Sequence, residues 1–241
     1  MFQHHELMAL RDFDTPTICN AVEVIAPDRR AAGFTTSPFV CRDPSMVPMV
    51  GYARTAKIRA TEPSGRAPSD DLAARVAYYR HIAESPAPTV TVIEDVDDPA
   101  GFGALWGEVN SNVHKGLGSV GVLTNGSIRD IDMWAEDFGA LAGSVGPSHA
   151  WVHVTEYAIP VTVHGLTISP GDIIHADRHG AVIVPGSAVT AIRSTIERLE
   201  AAERRLIGPS PVSYTHLRAH ETPEQRGWGR GGCKKKGGGG G

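Results

Sequence analysis

Cysteine is scarce: three in 241 residues, Cys19, Cys41 and Cys233, with neither paired metal-ligand spacing nor a disulfide framework. The expectation is a cytoplasmic protein with reduced thiols. No run of about 18 apolar residues occurs, so no membrane span is expected. The opening Met1-Phe2-Gln3-His4-His5-Glu6 lacks the apolar stretch of a signal peptide. Positive charge is not in excess. With 23 Lys and Arg against 27 Asp and Glu the chain is net −4, which argues against a nucleic-acid partner. What is present is a globular composition, 41% hydrophobic, over a length that suits one domain with a sizeable core.

The character changes at Val212. Val212-Ser-Tyr-Thr-His-Leu-Arg-Ala-His-Glu-Thr222 has no useful period, and a Gly-rich stretch, Lys234 to Lys236 and five closing glycines follow. The eleven-residue piece resembles one reading frame of a transposase-type sequencing adapter, and the run after it resembles a read decaying into homopolymer. The alternative is a natural basic, flexible tail. Residues 1–211 are therefore read as the domain and 212–241 as read-through, a disordered tail outside it, with the natural C-terminus expected beyond about residue 211. The tail carries six basic and two acidic residues, which leaves 17 against 25, a net of −8, for the body.

Along the body, His4 to Arg11 and Thr17 to Ile25 read as short helices, the second started by Asp14-Thr15-Pro16. Residues 26–45 read as loop and Val50 to Ile58 as strand. A helix opens near Ser69, with Ser69 or Asp70 as cap and Leu72, Val76 and Ile82 on its apolar face. Thr89 to Val96 is a β-branched run that predicts a buried strand. Gly107 to Gly116 reads as helix, Val120 to Thr124 as strand and Asp130 to Phe138 as helix. Strands follow over 150–156, 159–164, 166–168, 172–176 and 181–184, and Ser187 is placed to cap a last helix carrying Val189, Ile192, Ile196 and Leu199. This order predicts a layered α/β or α+β domain.

The chemistry concentrates in Ala104-Leu-Trp-Gly-Glu-Val-Asn110 and Thr124-Asn-Gly-Ser-Ile-Arg-Asp130. A helix beginning at Gly107 points the free N–H groups of Glu108, Val109 and Asn110 outward, an anion site suited to a carboxylate or phosphate. Arg129 can clamp a carboxylate, and Asp130 is a hard oxygen ligand for Mg²⁺ or Mn²⁺. The turn can bring Glu108 near Asp130. Together these suit a 2-keto acid. By spacing alone, an Arg-Asp pair after a turn is more often a surface ion pair and helix cap.

These blocks, with Val50-Gly-Tyr-Ala-Arg-Thr-Ala56, Ile159-Pro-Val-Thr-Val-His-Gly165 and Pro170-Gly-Asp-Ile-Ile-His-Ala-Asp-Arg-His-Gly-Ala-Val-Ile-Val-Pro185, stand in an order that resembles the RraA-like family over roughly 15–207. That family includes 4-hydroxy-4-methyl-2-oxoglutarate aldolases. The twenty residues between Glu108 and Arg129-Asp130 match its acidic-x20-Arg-Asp signature. The resemblance implies a single layered β/β/α domain of the swivelling, phosphohistidine-like kind, assembled as trimers or hexamers with sites between subunits. It implies Asp130 as direct metal ligand, Glu108 meeting the metal through water, and Arg129 on the substrate's carboxylate and keto oxygen. Gly107, Glu108, Val109 and Asn110 would form the carboxylate cradle. A neighbour would lend an acid from the last helix. Glu203 is the candidate, with Glu200 and Glu23 as alternatives. The implied activity is metal-dependent cleavage of a 2-keto acid, or decarboxylation of oxaloacetate, through a pyruvate enolate. No Schiff-base lysine is needed, so Lys57 and Lys115 receive no role.

The sequence departs from the family where Asn125-Gly126 replaces the usual Asp-Gly, and where the helix after Glu108 carries Asn110, Asn112 and His114. Those polar residues imply either a different substrate pocket or a solvent-facing side, with His114 or His149 candidates to line the pocket. His149 and His153 share a strand face too far apart for one ion, so no zinc site is expected. His175 to His179 is expected to fix a turn. The competing reading is a non-catalytic protein-binding regulator, since some RraA-like members bind and inhibit ribonuclease E. A methyltransferase reading lacks the Gly-rich strand–turn–helix loop for a methyl donor.

Overall fold

The computed structural model describes residues 2–86 and 88–207; the expected tail at 212–241, and Cys233 with it, lie outside the described residues. The chain divides into two units, Met1–Glu197 and Arg198–Gly241. In chain order the elements are α1 (His4–Met8), α2 (Thr15–Ile25), β1 (Val40–Cys41), β2 (Met49–Arg59), α3 (Pro68–Ala83), β3 (Thr89–Asp95), α4 (Glu108–Gly116) and β4 (Ser119–Thr124). There follow β5 (Ser127–Ile128), β6 (Gly139–Ala142), β7 (Ser144–Val145), β8 (His153–Tyr157), β9 (Val161–Val163), β10 (Leu166–Ile168), β11 (Ile173–Asp177), β12 (Gly180–Val184) and α5 (Ile192–Ile207).

The main sheet runs β1-β6-β4-β3-β2-β11-β12, with β2, β3, β4 and β6 parallel. Its axis is β2. One edge of that eleven-residue strand pairs with β3 from Tyr52 to Ile58, while the other passes from β11 at Met49–Tyr52 to β8 at Ala56–Arg59. Alternation along the strands sorts the core. Val90, Val92 and Leu123 face the antiparallel β9–β10 hairpin and pack with Val161, Val163, Leu166 and Ile168. Ile93, Val122, Ala56 and Ile58 face the other way, toward Tyr78 and Ile82 of α3 and the Trp106, Trp134 and Phe138 rings. The result is hairpin on sheet on helices, the expected mixed α/β class in β/β/α layers. A third cluster fastens α1, α2 and the start of α5 onto β2, β11 and β12 through Leu7, Ile18, Val22, Val184, Ile192 and Ile196.

Local chemistry explains several elements. The Asp14 carboxylate accepts from the Thr17 N–H at 2.9 Å, with Pro16 in the first turn, so α2 starts where the capping signal predicts. The β11–β12 turn is fixed by Asp177, which accepts from the backbone N–H of Thr15 at 2.9 Å and of His179 at 2.8 Å. Burial pushes that carboxyl up, but these bonds outweigh it and hold it below the usual range. His175 is fully buried, with Nε2 donating to the Leu10 and Phe13 carbonyls and Nδ1 accepting from the Thr15 hydroxyl. The His175–His179 stretch is thus structural.

Four expectations are corrected. Residues 130–138 form turns, not a helix, because Asp130 and Asp137 sit at φ 51° and 56°, which no α-helix accommodates. α3 is capped at Ala67 with Pro68 behind it, and it buries Tyr78 and Ile82 while Leu72 and Val76 stay exposed. The strand expected over 150–156 begins at His153, since Ala150 at φ 46° makes a turn closed by the Val152 N–H on the His149 carbonyl. Ser187 lies in a short 3₁₀ turn, and the last helix starts at Ile192.

Candidate functional site

Parallel strands deliver their following loops to one end of the sheet, and ligands gather there. Here the segments leaving β2, β3 and β4 meet at a cleft of about 870 Å³. Pro63 to Arg66 come from the first, Ala104, Leu105 and Gly107 from the second, and Arg129 and Asp130 from the third. The exposed side of α3 adds Leu72, Arg75 and Tyr79, and the turn at 149–154 closes the wall with His149, Trp151 and His153.

The floor is tightly specified. Gly107 caps α4, a helix of nine residues, without a side chain. A Cβ at Gly107 would lie 2.5 Å from Asp130 Oδ2 and 3.2 Å from Arg129 Cγ, so the Arg-Asp pair rests on the bare glycine. The Glu108 N–H reaches Asp130 Oδ2 at 3.4 Å, and Arg129 Nε lies 3.3 Å from the same oxygen. The Arg129 backbone is held at both ends: its N–H donates to the Trp106 carbonyl at 2.9 Å, and its carbonyl accepts from the Trp134 indole at 2.7 Å. Asp130 occupies the left-handed region, sparsely used by non-glycine residues and a common form of local strain at functional sites.

The first-turn amides of Val109 and Asn110 have no intrahelical acceptor and both residues line the cleft, so the helix end can receive an anion there. Arg129 Nε engages Asp130, while among the described residues its terminal nitrogens bond no acceptor. Arg129, Asp130, Gly107, Val109 and Asn110 are thus brought together. Glu108 contributes its backbone to this floor; its side chain is exposed and is not among the groups lining the cleft. Among the described residues no three His, Cys, Asp or Glu side chains cluster as a metal cage. Asp130 is the one carboxylate on the floor, its side chain 31% exposed. That donor set suits a cation that keeps most of its water, as Mg²⁺ does.

Glu203 and Glu200 are exposed on the α5 portion of the second unit, where Glu200 pairs with Arg204 at 3.7 Å. Glu23 pairs with Arg30 at 3.1 Å, and the small hollow beside it is separate from the cleft. Asn125 clasps the end of β3 with two bonds to the Asp95 backbone, at 2.7 and 2.9 Å, so it serves the scaffold. His114 does not line the cleft. It is fully buried, donating from Nδ1 to the Asn110 carbonyl and accepting at Nε2 from the Tyr78 hydroxyl, both at 2.7 Å, against the Trp106 ring. Burial lowers its pKa to about 4. Asn112 bonds the Glu108 carbonyl on the exposed side of α4, while Asn110 holds the Leu105 carbonyl and accepts from Tyr79. Burial pushes the Cys19 thiol up to about 11, which makes it a poor nucleophile. Arg66, Arg75, Tyr79, Trp151 and His153 were not anticipated. They come from segments distant in sequence, and none carries a local motif.

Residues 15–183 match a family model described as RraA-like, Aldolase/RraA. A Pseudomonas syringae pv. tomato protein provisionally named 4-hydroxy-4-methyl-2-oxoglutarate aldolase is 33% identical over 84 residues, 34% of this chain and 52% of that protein. The curated relatives are matched over about half their length or less. Among solved structures, the Streptomyces coelicolor protein RraAS2, described as an unusual member of a ribonuclease ES inhibitor family, has a TM-score of 0.66 at 21% identity, covering 86% of this chain and 98% of that one. A structure described as a novel cellulase from gut-associated microbes has a TM-score of 0.68 at 18% identity, covering 85% and 88%. At these identities the two structures share the fold and carry no activity across.

Proposed function

The chain belongs to the RraA-like family, and from that premise we propose that it is a divalent-metal-dependent lyase that cleaves a 2-keto acid to release pyruvate. The observation carrying this reading is the meeting of Arg129 and Asp130 with the open N-terminus of α4 on the floor of one cleft. The provisional aldolase names among the relatives support the reaction class.

The residues divide the work. The amides of Val109 and Asn110 hold the substrate's carboxylate at the positive end of α4. Arg129 turns its terminal nitrogens to that carboxylate and the neighbouring keto oxygen. Its fixed cation stabilises the negative charge that grows on this oxygen when the adjacent carbon–carbon bond breaks. Asp130 keeps Arg129 in place. Asp130 would hold Mg²⁺ or Mn²⁺ directly, and Glu108, whose exposed side chain does not line the cleft, would have to turn inward to meet the ion through water. A divalent ion there supplies Lewis-acid stabilisation of the same charge. Retro-aldol cleavage of a 4-hydroxy-2-keto acid and decarboxylation of oxaloacetate share this enolate, so one floor serves both. The domain would work as a homotrimer or hexamer, with Glu203 lent across the subunit boundary.

The test is pyruvate release from 4-hydroxy-4-methyl-2-oxoglutarate and from oxaloacetate, with Mg²⁺ and with a chelator, beside Asp130→Ala. The expected result is metal-dependent release that falls by about a hundredfold or more in Asp130→Ala, the scale of losing a preorganised electrostatic group. No release and no Mg²⁺ binding by the folded chain would sink the lyase reading and favour a protein-binding regulator.

A further inference from the structure

The floor described above supplies an anion hole, a cation and a metal ligand, but no group to take the proton from a 4-hydroxyl. Asp130 is engaged by Arg129 and the Glu108 N–H, and Arg129 is a permanent cation. The wall of the cleft does hold such a group. His149 Nδ1 lies 2.7 Å from the carbonyl oxygen of Ala150. A carbonyl only accepts, so Nδ1 carries the hydrogen and the neutral ring keeps its lone pair on Nε2. The ring is exposed, it lines the cleft, and Nε2 bonds no protein group among the described residues. Ala150, at φ 46°, turns the chain so that its carbonyl meets the preceding ring.

His149 is also tied to the catalytic floor. The Ala104 N–H donates to the Ser148 carbonyl at 2.9 Å, and two residues further on the Trp106 carbonyl accepts from the Arg129 N–H, again at 2.9 Å. The turn sits on Gly103, where a Cβ would come within 2.6 Å of the His149 carbonyl oxygen. The neighbour of His149 and Arg129 itself are therefore pinned to one short stretch, on residues two apart, whose Cα atoms are about 7 Å apart when extended. His153 has the same kind of bond, Nδ1 to the Trp151 carbonyl at 2.8 Å, but it stands on β8 opposite Arg59.

We propose that His149 is the general base of carbon–carbon cleavage, taking the 4-hydroxyl proton of a 4-hydroxy-2-keto acid on Nε2. This rests on the lyase reading of the cleft. As the O–H bond breaks, its electron pair forms the new C4=O bond. The pair of the C3–C4 bond moves to C2–C3 and the keto oxygen, giving the enolate that Arg129 stabilises. The imidazolium returns its proton to C3, so pyruvate leaves and His149 is neutral again.

The reaction pair separates this role from binding or folding, because decarboxylation of oxaloacetate reaches the same enolate with no hydroxyl proton to remove. The full chain with Mg²⁺ is compared with His149→Ala, His149→Gln and His153→Ala on 4-hydroxy-4-methyl-2-oxoglutarate and oxaloacetate. Both His149 variants are expected to lose about a hundredfold or more of hydroxy-acid cleavage, while oxaloacetate turnover moves less than about threefold. Added imidazole restores part of the cleavage in His149→Ala. Equal losses on both substrates, or no loss on either, overturn the proposal. So does a selective loss in His153→Ala alone. Decarboxylation without hydroxy-acid cleavage in the unaltered chain also overturns it, and leaves the enolate reading standing. Pyruvate from neither compound removes that reading as well.

Discussion

At the scale of single residues, Gly107 is under the tightest constraint. Its φ of −171° is extended backbone that any residue adopts, so the demand for glycine is spatial. A methyl group there meets Asp130 Oδ2 at 2.5 Å and must push the carboxylate off the helix end. Gly107→Ala is therefore expected to cost at least about tenfold in pyruvate release, consistent with catalytic groups needing placement within about 0.5 Å, while the melting temperature stays close to that of the unaltered chain. Unchanged activity would show that the position of Asp130 is not critical. His114 makes a pH prediction. Burial holds it at about 4 when folded, against about 6.5 unfolded. Below pH 6.5 the unfolded chain takes up a proton that the folded chain refuses. The part of the stability that comes from His114 is complete above that pH, declines between 6.5 and 4, and is constant below. His114 contributes up to about 3 kcal/mol of this loss. Burial and Arg54 also hold His81 at about 4, so it acts in the same direction. Denaturant titrations across pH should show a shallower slope in this window for His114→Gln.

At the scale of elements, α3 shows why a periodic pattern can mislead. Leu72, Val76 and Ile82 have helical spacing, yet only Ile82 is buried, beside Tyr78, while Leu72 turns to the cleft. The face is chosen by the Tyr78–His114 hydrogen bond and the Trp106 cluster, which the helix's own sequence does not contain. Ile82→Ala is expected to cost about 2–5 kcal/mol, as for a buried aliphatic truncation, and Val76→Ala about 0.5 kcal/mol or less, as for a surface change. Comparable losses by chemical denaturation would mean that Val76 is covered in solution. The elements legible from sequence were those whose cause is local: the Asp14 cap of α2, the β-branched run of β3, and glycine at the head of α4. The stretch after Asp130 was not, because its turns depend on Asp130 and Asp137 in left-handed conformations and on the Trp134 indole reaching back to Arg129.

At the scale of the whole molecule, the floor of the site was legible and its walls were not. Gly107 to Asn110 and Arg129-Asp130 lie in two short motifs joined by one helix and two short strands, so sequence spacing reaches across the gap. The walls at 63–79 and 149–154 join the floor only because β2 pairs with β3 along one edge and with β8 along the other. Such pairing across about a hundred residues leaves no trace in local pattern. The acidic residue proposed to come from a neighbouring subunit is a property of the assembly, so its test must be made on the assembly. If each site needs Asp130 from one subunit and Glu203 from the next, Asp130→Ala and Glu203→Ala chains are each nearly inactive alone. Mixed at equal amounts through unfolding and reassembly, they form rings in which about a quarter of the sites pair an intact Asp130 with an intact Glu203, as random closed assembly requires. Activity should then return to about a quarter of that of the unaltered protein, with light scattering reporting a trimer or hexamer throughout. Recovery from mixing Glu200→Ala with Asp130→Ala, while Glu203→Ala stays active alone, would move the role one turn along α5. No recovery in any mixture, with the oligomer intact, would place the whole site within one chain.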